Sequence, residues 1–355
     1  MVDGQALRVA QIGCGQISTA HFKSYAESPA VRLVAVVDTD RDAAAAAAAA
    51  ADVPWTERFE DVLEREDVQL VSVATPHFLH APQVVAAARA GKHILCEKPL
   101  TTSLEAADEM LGAAKAAGVT LGMWLTVRYQ ANIRAARALV QAGAIGEIVN
   151  IRLPDVHNKV PDYYQRGVGG RARPSTWRGG KQTSGGGALI MNAIHQIDAL
   201  RFVTGLEVSR VSAEWVSFTG LAEVEDMIAV LLRYSNGAIG SIDTANYAPG
   251  GGEPSVLRLY GSRGQLQISG RGLRAFVQEP VSGLEGVPDL AAGEWQDVPT
   301  VQARDPRTQL LEAFAAAVGA GVEPPVTGAD GRACLATVLA AYESAGSGRS
   351  VSLGA

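Results

Sequence analysis

Short apolar runs separated by helical patterns fill the first third of the chain. Leu7 to Ile12, Val31 to Val37, Val68 to Ala74, His93 to Cys96 and Val119 to Trp124 read as strands. Several are apolar throughout instead of alternating, as in parallel strands covered on both faces. The alanine run Ala43 to Ala51 predicts the helix after the second strand, because alanine has the highest helix propensity. Thr102, with Glu105 three residues later, predicts a capping box. Leu104, Ala107, Leu111 and Ala114 form the apolar face of the helix that follows, and Gly118 ends it. Alternation of this kind implies an α/β fold with a doubly wound parallel sheet of the Rossmann type.

From about residue 125 the texture changes. Ala131 to Gln141 reads as a helix and Glu147 to Leu153 as a strand. A stretch rich in glycine and arginine, 166 to 187, reads as an ordered loop, and Ala188 to Val203 as a helix. Strand patterns then dominate at Val208 to Phe218, Met227 to Tyr234, Ala238 to Tyr247, Val256 to Tyr260 and Gln265 to Ile268. Asn236-Gly237 between two of them is a hairpin signal. Helices around 306 to 320 and 329 to 345 close the chain. The expectation is a dinucleotide-binding domain over residues 1–125. An α/β domain with an open, mostly antiparallel sheet then spans 126–355, its last helix able to pack back on the first domain. There is no internal repeat.

Composition narrows the function classes. With 355 residues, 47% hydrophobic, two domains with sizeable cores are expected. The net charge of −6 lacks the basic excess of nucleic-acid binders. The arginines from Arg166 to Arg178 therefore suggest a local anion or ligand site instead of a DNA surface. The three cysteines, Cys14, Cys96 and Cys334, have neither zinc nor disulfide spacing, which fits free thiols in a reducing cytosol. No apolar run reaches membrane-spanning length, and the first eight residues hold no signal-peptide core, so a cytoplasmic protein is expected.

The candidate chemistry starts at Gly13-x-Gly15-x-x-Ser18, which follows a strand and opens a helix. Glycines there permit a tight turn, and the N–H groups of the helix start can meet a pyrophosphate. Asp38 ends the second strand, where a carboxylate accepts hydrogen bonds from both adenosine ribose hydroxyls and repels a 2′-phosphate. NAD is thereby favoured over NADP.

The motif set as a whole resembles the glucose–fructose oxidoreductase / inositol dehydrogenase (Gfo/Idh/MocA) family. The residues that carry the resemblance are Gly13-Cys14-Gly15-x-Ile17 with His21, Ala74-Thr75-Pro76-x-x-x-His80, and Ala90-Gly91-Lys92-His93-x-x-x-Glu97-Lys98-Pro99. Trp177-Arg178 and Gly185-Gly186-Gly187 followed by His195-x-x-Asp198 extend it through the second half. The resemblance implies an active site between the two domains, and homodimers or homotetramers packed through their open sheets. It carries Gly13, Gly15, Gln16, Ile17, Asp38, Thr75, Pro76, His80, Glu97, Lys98, Trp177 and Arg178 to the cofactor. Arg128 (next to Tyr129), His157, Tyr163, Met191, Asn192 and His195 are carried to the substrate. His77 stands where the family often has Asn, and Pro99 is a position where a cis peptide can precede the ring.

Two residues are expected to be catalytic. Lys98 follows a strand at its carboxyl end, where open α/β sheets bind ligands, and its ammonium can polarise the reacting C–O bond. His195 can take the hydroxyl proton as hydride leaves for the nicotinamide. Met191 and Asp198 share its helix face at i−4 and i+3, with Asp198 read as an orienting or packing group. The three glycines near the start of that helix are read as letting the backbone approach a ligand. Many relatives of the inositol dehydrogenase type have Asp where this chain has Met191, which leaves the substrate open. The combined expectation is an NAD-dependent oxidoreductase acting on a secondary alcohol of a sugar, sugar derivative or cyclic polyol, with no metal. Two alternatives stand beside it: an NAD-retaining enzyme whose redox cycle ends in glycoside cleavage, and a non-catalytic sensor of dinucleotide or sugar.

Overall fold

The computed structural model describes residues 6–159, 162–165, 176–251 and 255–354. The first half follows a strict alternation. The elements run β1 (Leu7–Ile12), α1 (Gln16–Glu27), β2 (Val31–Val37), α2 (Arg41–Ala51), β3 (Trp55–Thr56), α3 (Phe59–Leu63) and β4 (Leu70–Val73). They continue with α4 (His80–Arg89), β5 (His93–Cys96), α5 (Leu104–Ala117) and β6 (Leu121–Met123). The six strands form one parallel sheet in the order β3-β2-β1-β4-β5-β6, so the chain reverses direction across the sheet between β1 and β4. Open sheets bind ligands beyond the carboxyl ends of the strands beside such a reversal. The apolar runs are buried as their pattern requires: Leu70 to Val73 and Ile94 to Cys96 are sealed from solvent.

The helix starts depart from expectation at one point. Ser103, and not Thr102, caps α5, its Oγ accepting the Ala106 N–H at 3.2 Å. Thr102 is occupied elsewhere, its methyl packing where a Cβ on Gly185 would lie. Glu105 still places a negative charge in the first turn, favourable to the helix dipole. The alanine run forms α2, and Asp40 caps it by accepting from the N–H groups of Asp42 and Ala43.

The second half begins with α6 (Ala131–Gln141), β7 (Ile148–Val156) and two short helices, α7 (Asp162–Gln165) and α8 (Lys181–Ser184). Of the glycine- and arginine-rich stretch expected to be an ordered loop, 166–175 lie outside the described residues. The single helix expected over 188–203 is compound. Leu189–Ala193 winds as one π turn and continues into α9 (Ile194–Thr204). Next come β8 (Val208–Val216), β9 (Met227–Tyr234), β10 (Ile239–Ala245), β11 (Val256–Gly261), β12 (Gly264–Ser269), β13 (Gly272–Val277) and β14 (Trp295–Asp297). Helices α10 (Pro306–Ala320) and α11 (Gly328–Ser347) and the short β15 (Val351–Ser352) end the chain.

The second sheet has nine strands, β14-β13-β12-β11-β7-β10-β9-β8-β15, all paired antiparallel except β7 with β10. Its pleat explains its open face. Along β9 exposed and buried positions alternate without a break, one face on the helices and the other carrying Leu231, which is 65% exposed. The two halves interlock through the last helices. The Met123 N–H at the end of β6 donates to Val326 O, Arg332 of α11 pairs with Asp108 of α5, and Thr308 of α10 bonds Glu27 of α1.

Candidate active site

A cleft of about 1350 Å³ runs along the carboxyl ends of β1, β2, β4 and β5, and is closed on its far side by the second half. At one end lies the glycine turn. Gly13 has φ +90°, and a Cβ built there would sit 2.5 Å from Ala74 O, so a side chain is excluded twice over. Gly15 then caps α1 without any side-chain hydrogen bond, which leaves the first N–H groups of that helix for an anion. Asp38 stands at the tip of β2. Its Oδ2 accepts the Cys14 N–H at 2.7 Å and its Oδ1 the Asp40 N–H at 2.9 Å, so its carboxylate is fixed in position. This cradle of bare helix N–H groups beside an oriented carboxylate fits a dinucleotide with an unphosphorylated ribose. Asp38→Ser should therefore weaken the preference for NAD over NADP by roughly a hundredfold, since placing a phosphate beside a carboxylate costs several kcal/mol. Kinetics with the two cofactors measured separately check this; an unchanged ratio would remove Asp38 from cofactor selection.

Ile17, Gln16, Thr75 and Pro76 also line this cleft, as the motifs require. Thr75 donates its hydroxyl to Gln83 Oε1 at 2.6 Å. His80 does not line it. Buried, it bridges two loops, with its ring nitrogens 2.8 Å from Pro99 O and 2.9 Å from Thr75 O, and so shapes the cofactor wall from behind.

Glu97 and Lys98 follow β5 at the centre of the cleft, and the Lys98–Pro99 peptide is cis. Burial alone would raise the Glu97 pKa. The His21 ring, 3.0 Å from Oε1, and the nearby charge of Lys98 more than reverse this and hold it down at about 2. His21 is fixed in turn by stacking on Trp124 at 4.3 Å and by Gln11, whose Oε1 also accepts the Tyr25 hydroxyl. Neither Gln11 nor Trp124 carries a signal in the sequence, being one polar and one aromatic residue among strand positions.

Lys98 donates from Nζ to Met191 O at 2.6 Å. That carbonyl belongs to the π turn, whose extra residue displaces backbone oxygens from the regular helical ladder, a device frequent at functional sites. Burial lowers the Lys98 pKa, Glu97 opposes this, and Arg178 reinforces it. His195 is one turn further on. Its Nδ1 is sealed from solvent and has no hydrogen-bond partner among the described residues. Burial, followed by the charge of Lys98, depresses its pKa to about 3, so the ring is neutral and able to accept a proton. The cleft wall itself is made by Met191 and Asn192 and does not include His195.

The rest of the substrate end is only partly as expected. Tyr163, Trp177 and Arg178 line it, with the Tyr163 hydroxyl donating to Met191 Sδ and the Arg178 guanidinium 4.6 Å from the Trp177 ring centroid. His77 also lines it. It sits edge-on to Trp177 and its Nδ1–H donates to Ser184 O at 2.7 Å, tying the two halves together over the cleft. His157 lies outside the lining and is hydrogen-bonded to Asp155 at 3.2 Å. Arg128 departs furthest. Instead of facing the cleft, it is buried beneath it, donating to Asp198 at 2.8 and 2.5 Å and to Asp330 at 3.3 Å. Asp198 thus packs and pairs with Arg128.

The three glycines also serve packing and not ligand approach. A Cβ on Gly187 would lie 1.8 Å from Glu225 O, and one on Gly186 2.2 Å from the Tyr342 hydroxyl. Glu225 accepts from the Gly187 and Leu189 N–H groups and from Tyr342, clamping the start of the π turn. Lys159 is a third residue, after Gln11 and Trp124, that carries no signal in the sequence. It lines the cleft, donates to Asn192 Oδ1 and lies 4.4 Å from the Tyr163 ring centroid. A loop lysine has no periodicity to mark it. Among the described residues no cluster could hold a metal ion, and no helix is long and apolar enough to cross a membrane.

Comparison with known proteins agrees with this geometry. Residues 7–124 match the oxidoreductase family with an NAD-binding Rossmann fold (GFO_IDH_MocA), and residues 133–267 match the GFO/IDH/MocA C-terminal domain. The chain is 28% identical to a levoglucosan dehydrogenase from Pseudarthrobacter phenanthrenivorans, covering 85% of this chain and 88% of that one. It is 32% identical to a 1,5-anhydro-D-fructose reductase from Ensifer adhaerens, over 83% of this chain and 82% of that one. A levoglucosan dehydrogenase structure in complex with NADH and levoglucosan superposes with a TM-score of 0.85 at 25% identity, covering 99% of this chain and 100% of that one.

Proposed function

The chain belongs to the Gfo/Idh/MocA family of NAD-binding Rossmann-fold oxidoreductases, and on that premise we propose that it moves hydride between NAD and a secondary alcohol of a sugar, sugar derivative or cyclic polyol, with Lys98 and His195 as its catalytic residues. The single observation that carries this reading is the position of the Lys98 ammonium. It stands in the same cleft as the Gly13 turn and Asp38, held 2.6 Å from Met191 O beside a neutral His195. Bound nicotinamide supplies the hydride acceptor or donor. Lys98 holds positive charge at the substrate oxygen and stabilises the alkoxide character that develops as the C–H bond breaks. His195, uncharged at neutral pH, takes the hydroxyl proton in oxidation and returns it in reduction. Tyr163, Trp177 and Asn192 offer an aromatic wall and an amide, groups suited to a polyhydroxylated ligand.

The same reading places the protein in the reducing cytoplasm, consistent with Cys14, Cys96 and Cys334 not being joined in disulfides. It has copies of the chain meeting through the open sheet face, where Leu231, Ile239 and Val149 are exposed. The test is NADH formation over a panel of sugars, anhydrosugars and inositols. Production of NADH from at least one of them supports the assignment. Binding of NAD and sugar without turnover would make the protein a sensor. Retained cofactor with glycoside cleavage and no net NADH would make it a redox-cycling lyase or hydrolase.

A further inference from the structure

Three cationic side chains meet at the substrate end of the cleft. Lys98, Lys159 and Arg178 all line it. Of the carboxylates near the two lysines, Glu97 is engaged by His21 and by the Lys98 N–H, and Asp155 lies behind the lining, where its Oδ1 meets His157 and Ser255 and its charge partly offsets that of Lys159. Among the described residues Lys159 forms no ion pair, and its hydrogen-bond acceptor is the neutral amide of Asn192. That amide is itself locked, donating to Asn246 Oδ1 at 2.6 Å, while Asn246 donates to the Tyr164 hydroxyl at 2.9 Å and its carbonyl accepts the Lys159 N–H at 2.8 Å. The ammonium is thus held at one point of the cleft by a four-residue relay instead of ranging over the surface. Half-buried charges are normally paired, and a cation held in place without direct contact to a carboxylate among the described residues is ready to take one from outside. Burial, then the charges of Lys98 and Arg178 against the opposing charge of Asp155, lower the Lys159 pKa to about 8, leaving it mostly charged at neutral pH.

We propose that the substrate carries a carboxylate, as in a uronic or aldonic acid, and that Lys159 binds this group while Lys98 addresses the reacting hydroxyl. The proposal rests on the dehydrogenase reading for the reaction, but the recognition it describes stands apart from turnover. Lys159 approaches across the cleft from the β7 side, and Lys98 from the end of β5, so the carboxylate and the reacting carbon occupy neighbouring points of one ligand. A charge-assisted hydrogen bond in such a setting is worth enough to separate an acid from its neutral parent sugar by roughly ten- to a hundredfold in affinity.

The experiment titrates D-glucuronate, D-galacturonate and D-gluconate against the NADH-loaded protein by calorimetry, beside D-glucose, D-galactose and glucose 6-phosphate. At least one of the acids should bind about tenfold or more tightly than its parent sugar. Lys159→Gln, which keeps a polar side chain beside Asn192, should bring that ratio to near unity, and Lys159→Arg should preserve much of it. Circular dichroism of each variant establishes that it is folded. No acid binding more tightly than its parent overturns the proposal, as does a ratio unmoved by Lys159→Gln. Preference for the sugar phosphate over every carboxylate overturns it too, assigning the subsite to phosphate. A Lys159-dependent preference without NADH formation from any acid would retain this inference and remove the dehydrogenase reading. NADH from neutral sugars alone would do the reverse.

Discussion

Replacing Lys98 with methionine is expected to lower kcat by about a thousandfold, the scale of a positioned acid–base group, while NADH affinity stays close to that of the native protein. Methionine keeps the length and flexibility of the chain but removes the ammonium. What is lost is the charge at the substrate oxygen and the bond to Met191 O, now 2.6 Å. Cofactor binding should survive because its determinants lie elsewhere: the Gly13 turn, the open N-terminus of α1 and the Asp38 carboxylate pinned by the Cys14 and Asp40 N–H groups. Stability should not suffer either. Lys98 is half-buried with its pKa depressed chiefly by desolvation, so its charge is already a cost to the fold. Steady-state kinetics and NADH titration of the folded variant check this. Unimpaired turnover would remove Lys98 from the chemistry and leave its motif a structural one.

Arg128→Ala is expected to produce the largest loss of stability, about 3–5 kcal/mol, the range for breaking a buried ion pair by removing one partner. Arg128 and Asp198 are nearly or fully sealed from solvent, and Arg128 also reaches Asp330 and Pro325 O. Arg201 joins the same Asp330, so a single network ties the segment after β6 to α9 and α11. Without the guanidinium, the one hydrogen-bond contact left to Asp198 among the described residues would be the distant Cys334 thiol at 3.8 Å. Burial already pushes its pKa upward despite Arg128, so the variant would fold with a protonated Asp198 or not at all. Urea unfolding of the two proteins measures the difference. A loss below about 1 kcal/mol, the level of a surface pair, would show that the network is dispensable.

This network also shows why one expected site residue was misplaced. A basic–aromatic pair just past a Rossmann strand is a reasonable substrate contact, and Tyr129 and Arg128 have the right position in the chain. Whether such a side chain points into the cleft or beneath it depends on where its counter-charge sits. Here that charge comes from residues 70 and more than 200 positions away. The capping of α5 failed for a related reason. Thr102 and Ser103 are both competent caps, and the choice fell to Ser103 because Thr102 packs against Gly185 of the other half.

The sequence by itself determined what local chemistry can determine. Fully apolar short runs separated by helical patterns require a parallel sheet buried on both faces, and alternating runs later on require a sheet with one open face. Gly13-x-Gly15 at a strand-to-helix junction, with Asp38 at the end of the next strand, pointed to a dinucleotide turn. Lys98 was legible because it follows a strand end, and the carboxyl edge of a parallel sheet is where ligands bind. Tertiary structure decided everything that depends on two distant segments meeting. It turned Gly185 to Gly187 into a packing surface for Tyr342 and Glu225, wound one π turn that offers Met191 O to Lys98, and partly enclosed His195, sealing its Nδ1, so that the ring stays neutral. It also carried Lys159, a loop residue without any pattern around it, to the wall that Lys98 and Arg178 line. Burial and counter-charge are properties of the assembled chain, and they alone set where a polar side chain points and which of its protonation states is populated.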